Sequence, residues 1–181
     1  MPGQVYQVRM KLKVLFWILI LNISLIMSAE SFGIVVHGGA GVLSGLSIEK
    51  QKEIENKVKD TLISAYKILE DGGSSMDAVE FAVSEFEDST LFNAGKGSVY
   101  NSNEVQEMDA SIMNGADRSA GAVASVQIIK NPIKLARKVL EETDHVLLVG
   151  EGAEIFAKDI EENIVDRSYF HSEKNLKRLK K

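Results

Sequence analysis

The sequence of 181 residues contains no cysteine, which excludes a disulfide framework and any metal site built on thiolates. It has three histidines, His37, His145 and His171, and none of them belongs to the HExxH pattern of a zinc peptidase. The net charge of −5 gives no basic patch that would indicate a nucleic-acid partner. The sequence therefore predicts neither a zinc site nor a nucleic-acid partner.

What is present is an ordinary globular composition, with 45% hydrophobic and 26% charged residues. A chain of this length can bury one core, so the composition predicts one domain. No internal repeat or low-complexity segment interrupts it.

The first 31 residues differ from the rest and predict a secretory signal peptide. Arg9, Lys11 and Lys13 precede an apolar run at residues 14–27, and small residues follow at 28–31. A membrane anchor is the alternative, but about 14 apolar residues are fewer than the roughly 20 that span a bilayer. Met10 is an alternative start. The sequence thus predicts an exported protein, periplasmic or secreted, without a stable membrane anchor.

Apolar residues at spacings of three and four predict helices in the remaining residues 32–181. The first covers residues 47–71 and ends at a glycine pair. The second begins at Ser74, with Asp77 as its capping-box partner. The third begins at Pro132 and a short fourth covers residues 154–158. The predicted buried positions of the second helix are Met76, Val79, Ala82, Val83 and Phe86.

Shorter apolar and alternating runs predict strands. Residues 32–36 predict a buried strand that enters a glycine turn, and residues 146–149 predict a fully buried strand. Residues 93–115 predict a loop, a strand, an Asn-rich turn and a second strand, and residues 120–129 supply a third. Here Asp109 is expected to be buried and hydrogen bonded. Glu107 is expected to face water.

This order of elements predicts an α+β fold with helices packed on a largely antiparallel sheet. Residue patterns alone leave the chemistry open. The loop at residues 93–98 lacks the order of a Walker A motif. Residues 37–41, HGGAG, are similar to an esterase oxyanion loop, but no GxSxG follows them.

Six motifs in sequence resolve this question by resemblance. They are VVHGGAG (35–41), LFNAGKGSVYN (91–101), EMDASIMNG (107–115), AGAVASV (120–126), NPIKLAR (131–137) and HVLLVGEGAEIFA (145–157). Together they resemble the plant-type L-asparaginases and isoaspartyl peptidases, which are N-terminal-nucleophile hydrolases, over about residues 33–180. The resemblance implies an αββα sandwich, of which this chain is the N-terminal half.

The family's precursor cuts itself and frees a threonine within a G-T-V-G sequence. That threonine is the nucleophile, and its own amine is the base. It attacks the side-chain amide of L-asparagine or the isopeptide bond of a β-aspartyl dipeptide. The present sequence contains no G-T-V-G. It therefore resembles the α-subunit portion alone, or a truncated precursor, and is expected to be inactive by itself.

The resemblance also implies partners. A β subunit with the nucleophile and the substrate-binding residues would complete an αβ unit and an (αβ)2 assembly. Without it, the exposed sheet edge predicts poor solubility. The alternative is a non-catalytic truncated fragment, or a remnant that binds a partner.

The resemblance transfers three groups of site residues to this chain. Asn93 is expected to lie beside the nucleophile as a supporting residue. His37, Gly38 and Gly39 match a loop implicated in self-cleavage. A sodium ion is expected on the backbone carbonyls of a further set, with no organic cofactor, although a rigid turn without metal is the alternative. That set is Phe86, Glu87, Ser89, Phe92, Ala94 and Lys96.

Overall fold

Two helices precede a pair of strands in the computed structural model, which describes residues 32–41 and 43–181. The helices are α1 (Ile48–Glu70), α2 (Ser75–Glu87), α3 (Pro132–Glu142), α4 (Gly150–Asp159) and α5 (Glu173–Leu179). The strands are β1 (Met108–Met113), β2 (Ala120–Val126) and β3 (Leu147–Val149). Short 3-10 turns occur at Gly95–Gly97 and Arg167–Phe170. The predicted α+β class is confirmed.

Local sequence signals set the helix boundaries. At the start of α2, the Ser74 hydroxyl accepts a hydrogen bond from the Asp77 backbone N–H at 3.1 Å. The Asp77 carboxylate accepts from the Ser74 backbone N–H at 3.0 Å, so the predicted capping box is confirmed. Helix α1 ends before Gly72, whose φ of +86° is a conformation that favours glycine. Pro132 opens α3 as predicted.

The sheet has the order β1-β2-β3. Strands β1 and β2 form an antiparallel pair in which Ile112 lies opposite Gly121. Strand β3 runs parallel to β2, because α3 carries the chain back across the sheet before β3 begins. The predicted antiparallel pairing therefore holds for β1 and β2, whereas β3 joins the sheet in parallel.

The core lies on one face of this sheet, where α3 and α4 cover it. Its most buried large side chains include Val123, Val126, Ile129, Leu135, Val139 and Phe170. Gly121 permits α3 to approach β2 closely, because a Cβ at Gly121 would lie 2.2 Å from the backbone oxygen of Ala136. The other face and the β3 edge carry exposed apolar side chains: Met113 (61%), Leu147 (51%) and Val149 (54%). We call these three residues the open sheet face.

Several predicted strands differ in the structure. Residues 32–36 form no strand, and Val35 is 93% exposed, because no strand of the described residues lies beside them. Residues 98–100 are also not a strand, since the Val99 N–H bonds to the Asn93 side chain and not to a neighbouring strand. Strand β2 ends at Val126, where the prediction continued to residue 129.

Burial was also mispredicted at particular positions. Residues 147–149 form a strand, but β3 is at the end of the sheet order and is largely exposed. Val79 is 38% exposed on α2. Asp109 accepts a hydrogen bond from the Ser125 N–H at 2.8 Å as expected, but it is exposed on β1. Glu107 is exposed, as predicted.

The predicted signal peptide lies outside the described residues. Across 32–41 and 43–181, no helix has the length and apolar character needed to cross a membrane.

Candidate functional site

The loop between α2 and β1 is shaped by two glycines that main-chain carbonyls approach closely. Gly95 has φ +46°, and a Cβ built on it would lie 2.3 Å from the carbonyl oxygen of Glu87. A Cβ on Gly97 would lie 2.1 Å from the carbonyl oxygen of Phe92 and 2.9 Å from that of Ser89. Both positions therefore require glycine. We call the carbonyl groups of Glu87, Ser89 and Phe92 the carbonyl cradle.

The carbonyl cradle fits the donor chemistry of a hard cation. Its three oxygens belong to the set predicted from sequence, and oxygen donors are the ligands that hard cations prefer. Two further predicted carbonyls accept backbone hydrogen bonds: Phe86 from Ser89 N at 3.2 Å and Ala94 from Gly97 N at 2.9 Å. Each carbonyl oxygen has two lone pairs, so one hydrogen bond does not use up its capacity.

The side chain of Lys96, the sixth predicted position, points its charge towards an aromatic ring. Its Nζ lies over the ring of Tyr169, 5.2 Å from the centroid, in a cation–π contact. The Tyr169 hydroxyl in turn donates to Asp88 at 3.4 Å. The Tyr169 ring thus accommodates the Lys96 ammonium group. The predicted ion ligand at this position is the backbone carbonyl of Lys96, which does not depend on the side chain.

The predicted self-cleavage loop lies against the aromatic ring of Phe92. A Cβ built on Gly38 would lie 3.0 Å from Cε1 of the Phe92 ring and 3.6 Å from a methyl group of Val58. Next to it, the Gly39 N–H donates to Nδ1 of His37 at 3.2 Å, and Gly39 has φ +101°. The fold therefore brings together two segments that lie some fifty residues apart in the sequence.

Asn93 follows Phe92 directly and is exposed at this junction. Its Oδ1 accepts a hydrogen bond from the Val99 N–H at 2.9 Å. Only the oxygen of the amide can accept from an N–H, so this bond fixes which way the side chain faces. The Nδ2 group is then oriented as a donor with two N–H bonds, which suits a group that stabilises an oxygen or holds a nucleophile.

Sequence reasoning predicted a role for the backbone of Glu87 but missed its side chain. The carboxyl is buried, with 3% exposure, and its Oε1 accepts from the Ile133 N–H in the first turn of α3 at 3.0 Å. Burial raises the pKa of Glu87 to about 8, and the hydrogen bond from Ile133 offsets part of this rise. Asn131, the residue at the N-cap of α3, makes no side-chain cap. Glu87 caps the helix from a distance, which no local pattern reveals.

Arg137 fixes the first turns of α2 against α3. Its Nη1 donates to Asp77 at 2.8 Å and to Glu80 at 2.9 Å, and its Nε donates to Glu141 at 2.6 Å. The hydrogen bonds from Ser74 and then Arg137 lower the pKa of Asp77 to about 2. One half-buried guanidinium thus serves three carboxylates.

Comparison with known proteins places this arrangement in a family. The family model described as "Asparaginase" matches residues 30–181. An "Isoaspartyl peptidase/L-asparaginase" of Mus musculus is 47% identical over 151 residues, covering 80% of this chain and 46% of the relative. The protein of that name from Homo sapiens is 46% identical over 148 residues, covering 82% of this chain and 47% of the relative.

An archaeal relative gives the same result. A "Plant-type L-asparaginase" of Pyrococcus horikoshii is 50% identical over 125 residues, covering 69% of this chain and 40% of the relative. The chain spans less than half the length of these curated relatives. A match over residues 30–181 nonetheless includes every described helix and strand, so the chain belongs to the asparaginase family.

Proposed function

We propose that this chain is the α portion of an exported isoaspartyl peptidase/L-asparaginase. The completed protein would hydrolyse the side-chain amide of L-asparagine, releasing aspartate and ammonia, and would cleave β-aspartyl dipeptides. The threonine nucleophile would come from a segment outside this chain, since no G-T-V-G occurs in the sequence. The names of the relatives support this choice of substrates.

The observation that carries the proposal is that the Gly38 turn packs against the ring of Phe92, while Asn93, the next residue, has its amide fixed by the Val99 N–H. The glycine turn supplies close main-chain approach, and Asn93 presents an oriented amide donor. In the proposed reaction, the nucleophile's hydroxyl attacks the substrate carbonyl and its α-amine takes the proton. An acyl-enzyme forms and ammonia leaves, after which water releases aspartate. Asn93 would hold the nucleophile in position for both steps.

We propose that the open sheet face receives the β portion. Met113, Leu147 and Val149 expose apolar area on a sheet whose other face is covered by α3 and α4. A second layer packed there would bury this surface, which is the usual way a sheet completes its core. Two such αβ units would form the (αβ)2 assembly.

We propose sodium as the structural ion of the carbonyl cradle. The ion would hold the carbonyls of Glu87, Ser89 and Phe92 around Gly95 and Gly97, and so rigidify the segment that carries Asn93. It takes no part in the bond changes.

Export is proposed from the composition of residues 1–31, with their basic start and apolar middle. Fusing these residues to a reporter enzyme and measuring its secretion tests this point separately from catalysis.

Co-expression tests the function. Residues 32–181 are produced together with the part of the Mus musculus relative that lies beyond the matched region, and ammonia release from L-asparagine is measured. We expect release from the complex and none from either part alone. A well-folded complex without release would leave the non-catalytic alternative in place, and turnover by residues 32–181 alone would contradict the proposal.

A further inference from the structure

The peptide group between Ser98 and Val99 holds Asn93 from one side and is itself held from the other. Its N–H, on Val99, donates to Asn93 Oδ1 at 2.9 Å. Its carbonyl oxygen, on Ser98, accepts two side-chain amides: Gln106 Nε2 at 2.7 Å and Asn175 Nδ2 at 3.1 Å. A trans peptide is planar, so fixing the oxygen also fixes the direction of the N–H on the opposite side.

Asn175 has a second contact that further restrains the Ser98–Val99 peptide. The same Nδ2 also donates to the carbonyl oxygen of Gly97 at 3.0 Å. Gly97 and Ser98 are both buried, which shields these bonds from water. Donors on a carbonyl polarise the peptide and strengthen its N–H as a donor, so Asn175 both orients and reinforces the bond to Asn93.

The C-terminal segment keeps Asn175 in place. The Ser172 hydroxyl accepts the Asn175 backbone N–H at 3.3 Å at the start of α5. The Tyr100 hydroxyl accepts the Ser172 N–H at 3.2 Å and lies 3.0 Å from Nδ1 of His171. The segment is thus fastened on both sides of Val99, to Gly97–Ser98 and to Tyr100.

We propose that Asn175 is a positioning residue that aligns the Asn93 amide through the Ser98–Val99 peptide. Its catalytic consequence rests on the proposed function, whereas its effect on the peptide does not. The chain end at α5 then sets the geometry of a site about eighty residues earlier in the sequence. Neither residue type nor spacing at Asn175 indicates this role.

Amide exchange on the full 181-residue chain tests the hold itself. Asn175→Asp keeps the size of the side chain and removes its N–H donors, and a carboxylate in the first turn suits the helix dipole of α5. We expect the Val99 amide to exchange about tenfold faster in this variant, as loss of the hydrogen bond to the Ser98 carbonyl implies. Lys174→Ala, on an exposed neighbour in α5, is the control and should leave it unchanged. An unchanged Val99 amide in Asn175→Asp would overturn the proposal.

A double-mutant cycle on the co-expressed complex tests the route. Asn175→Asp should lower kcat for L-asparagine about tenfold and leave KM within about twofold, as the loss of the hydrogen bond to the Ser98 carbonyl implies. If Asn175 acts through Asn93, Asn93→Ala with Asn175→Asp should be no slower than Asn93→Ala alone. If the double variant instead lowers kcat by the product of the two single-variant effects, the proposal is overturned. A complex in which even the parent lacks turnover would count against the proposed function, while the exchange result would still decide the role of Asn175.

Discussion

Gly97→Ala is expected to disrupt the carbonyl cradle by main-chain overlap. The added Cβ would lie 2.1 Å from the Phe92 oxygen and 2.9 Å from the Ser89 oxygen, and ordinary contacts begin at 3.4 Å. Both neighbours are backbone atoms, so the loop must move by roughly 1 Å or more, and relief by a rotamer change is not possible. Overpacking usually costs about 1–3 kcal/mol, and we expect at least the upper end here.

Urea unfolding of residues 32–181 measures this cost. Gly115→Ala is the matched control, because a Cβ there meets nothing within 4 Å. We expect the control to stay within about 0.5 kcal/mol of the parent, as surface substitutions usually do. A Gly97→Ala variant as stable as the control would refute the close approach described above.

The Gly97→Ala variant also tests whether sodium binds the carbonyl cradle. If sodium binds the cradle, replacing Na⁺ by a bulky organic cation should lower the stability of the parent. Sodium at ten times its Kd would contribute roughly 1.4 kcal/mol. Gly97→Ala displaces two of the proposed ligands and should lose this dependence. A parent indifferent to the cation would indicate a rigid turn without metal.

Two further predictions concern the elements around the site. The folded pKa of Glu87, about 8, lies above its reference value of 4.5, so the folded chain retains a proton that the unfolded chain has lost. Stability should therefore fall as pH rises from about 4.5 to 8, and Glu87→Gln should flatten this fall in urea unfolding; an equal slope in both proteins would contradict it. Gly121→Ala should cost at least about 3 kcal/mol, because its Cβ would meet the Ala136 carbonyl at 2.2 Å. Thermal melting near the parent's would argue against that packing.

Local signals in the sequence predicted the first three helices well, whereas α4 begins at Gly150, four residues before its predicted start at residue 154. The capping box of Ser74 and Asp77, the glycines after α1 and Pro132 at the start of α3 each act within a few residues, so a one-dimensional pattern contains them. The strands were harder, because burial depends on the partner surface. Residues 147–149 have the composition of a central strand, yet β3 ends the sheet order and is exposed.

The candidate site shows the same difference between local signals, which the sequence contains, and long-range contacts, which it does not. The motifs around Asn93 and Gly38 indicated where to look, but only the fold shows that Gly38 meets Phe92. Glu87 and Asn175 act across 46 and 78 residues of sequence, respectively, to reach Ile133 and Gly97. Such contacts leave no periodicity or motif. They are set by tertiary packing, which sequence patterns do not encode locally.

Helix α1 is long but poorly anchored, and this has a consequence for how the molecule opens. Of its 23 residues only Thr61 and Ala65 are buried, and Ile63 is 57% exposed. Because most of its side chains are exposed or only half-buried, its local unfolding should cost little free energy, so α1 should detach before the sheet and α3 lose their structure. Since Val58 on this helix supports Gly38, each such excursion would also loosen the glycine turn. A protease should therefore make its first cuts near α1, while the strand pair is still intact.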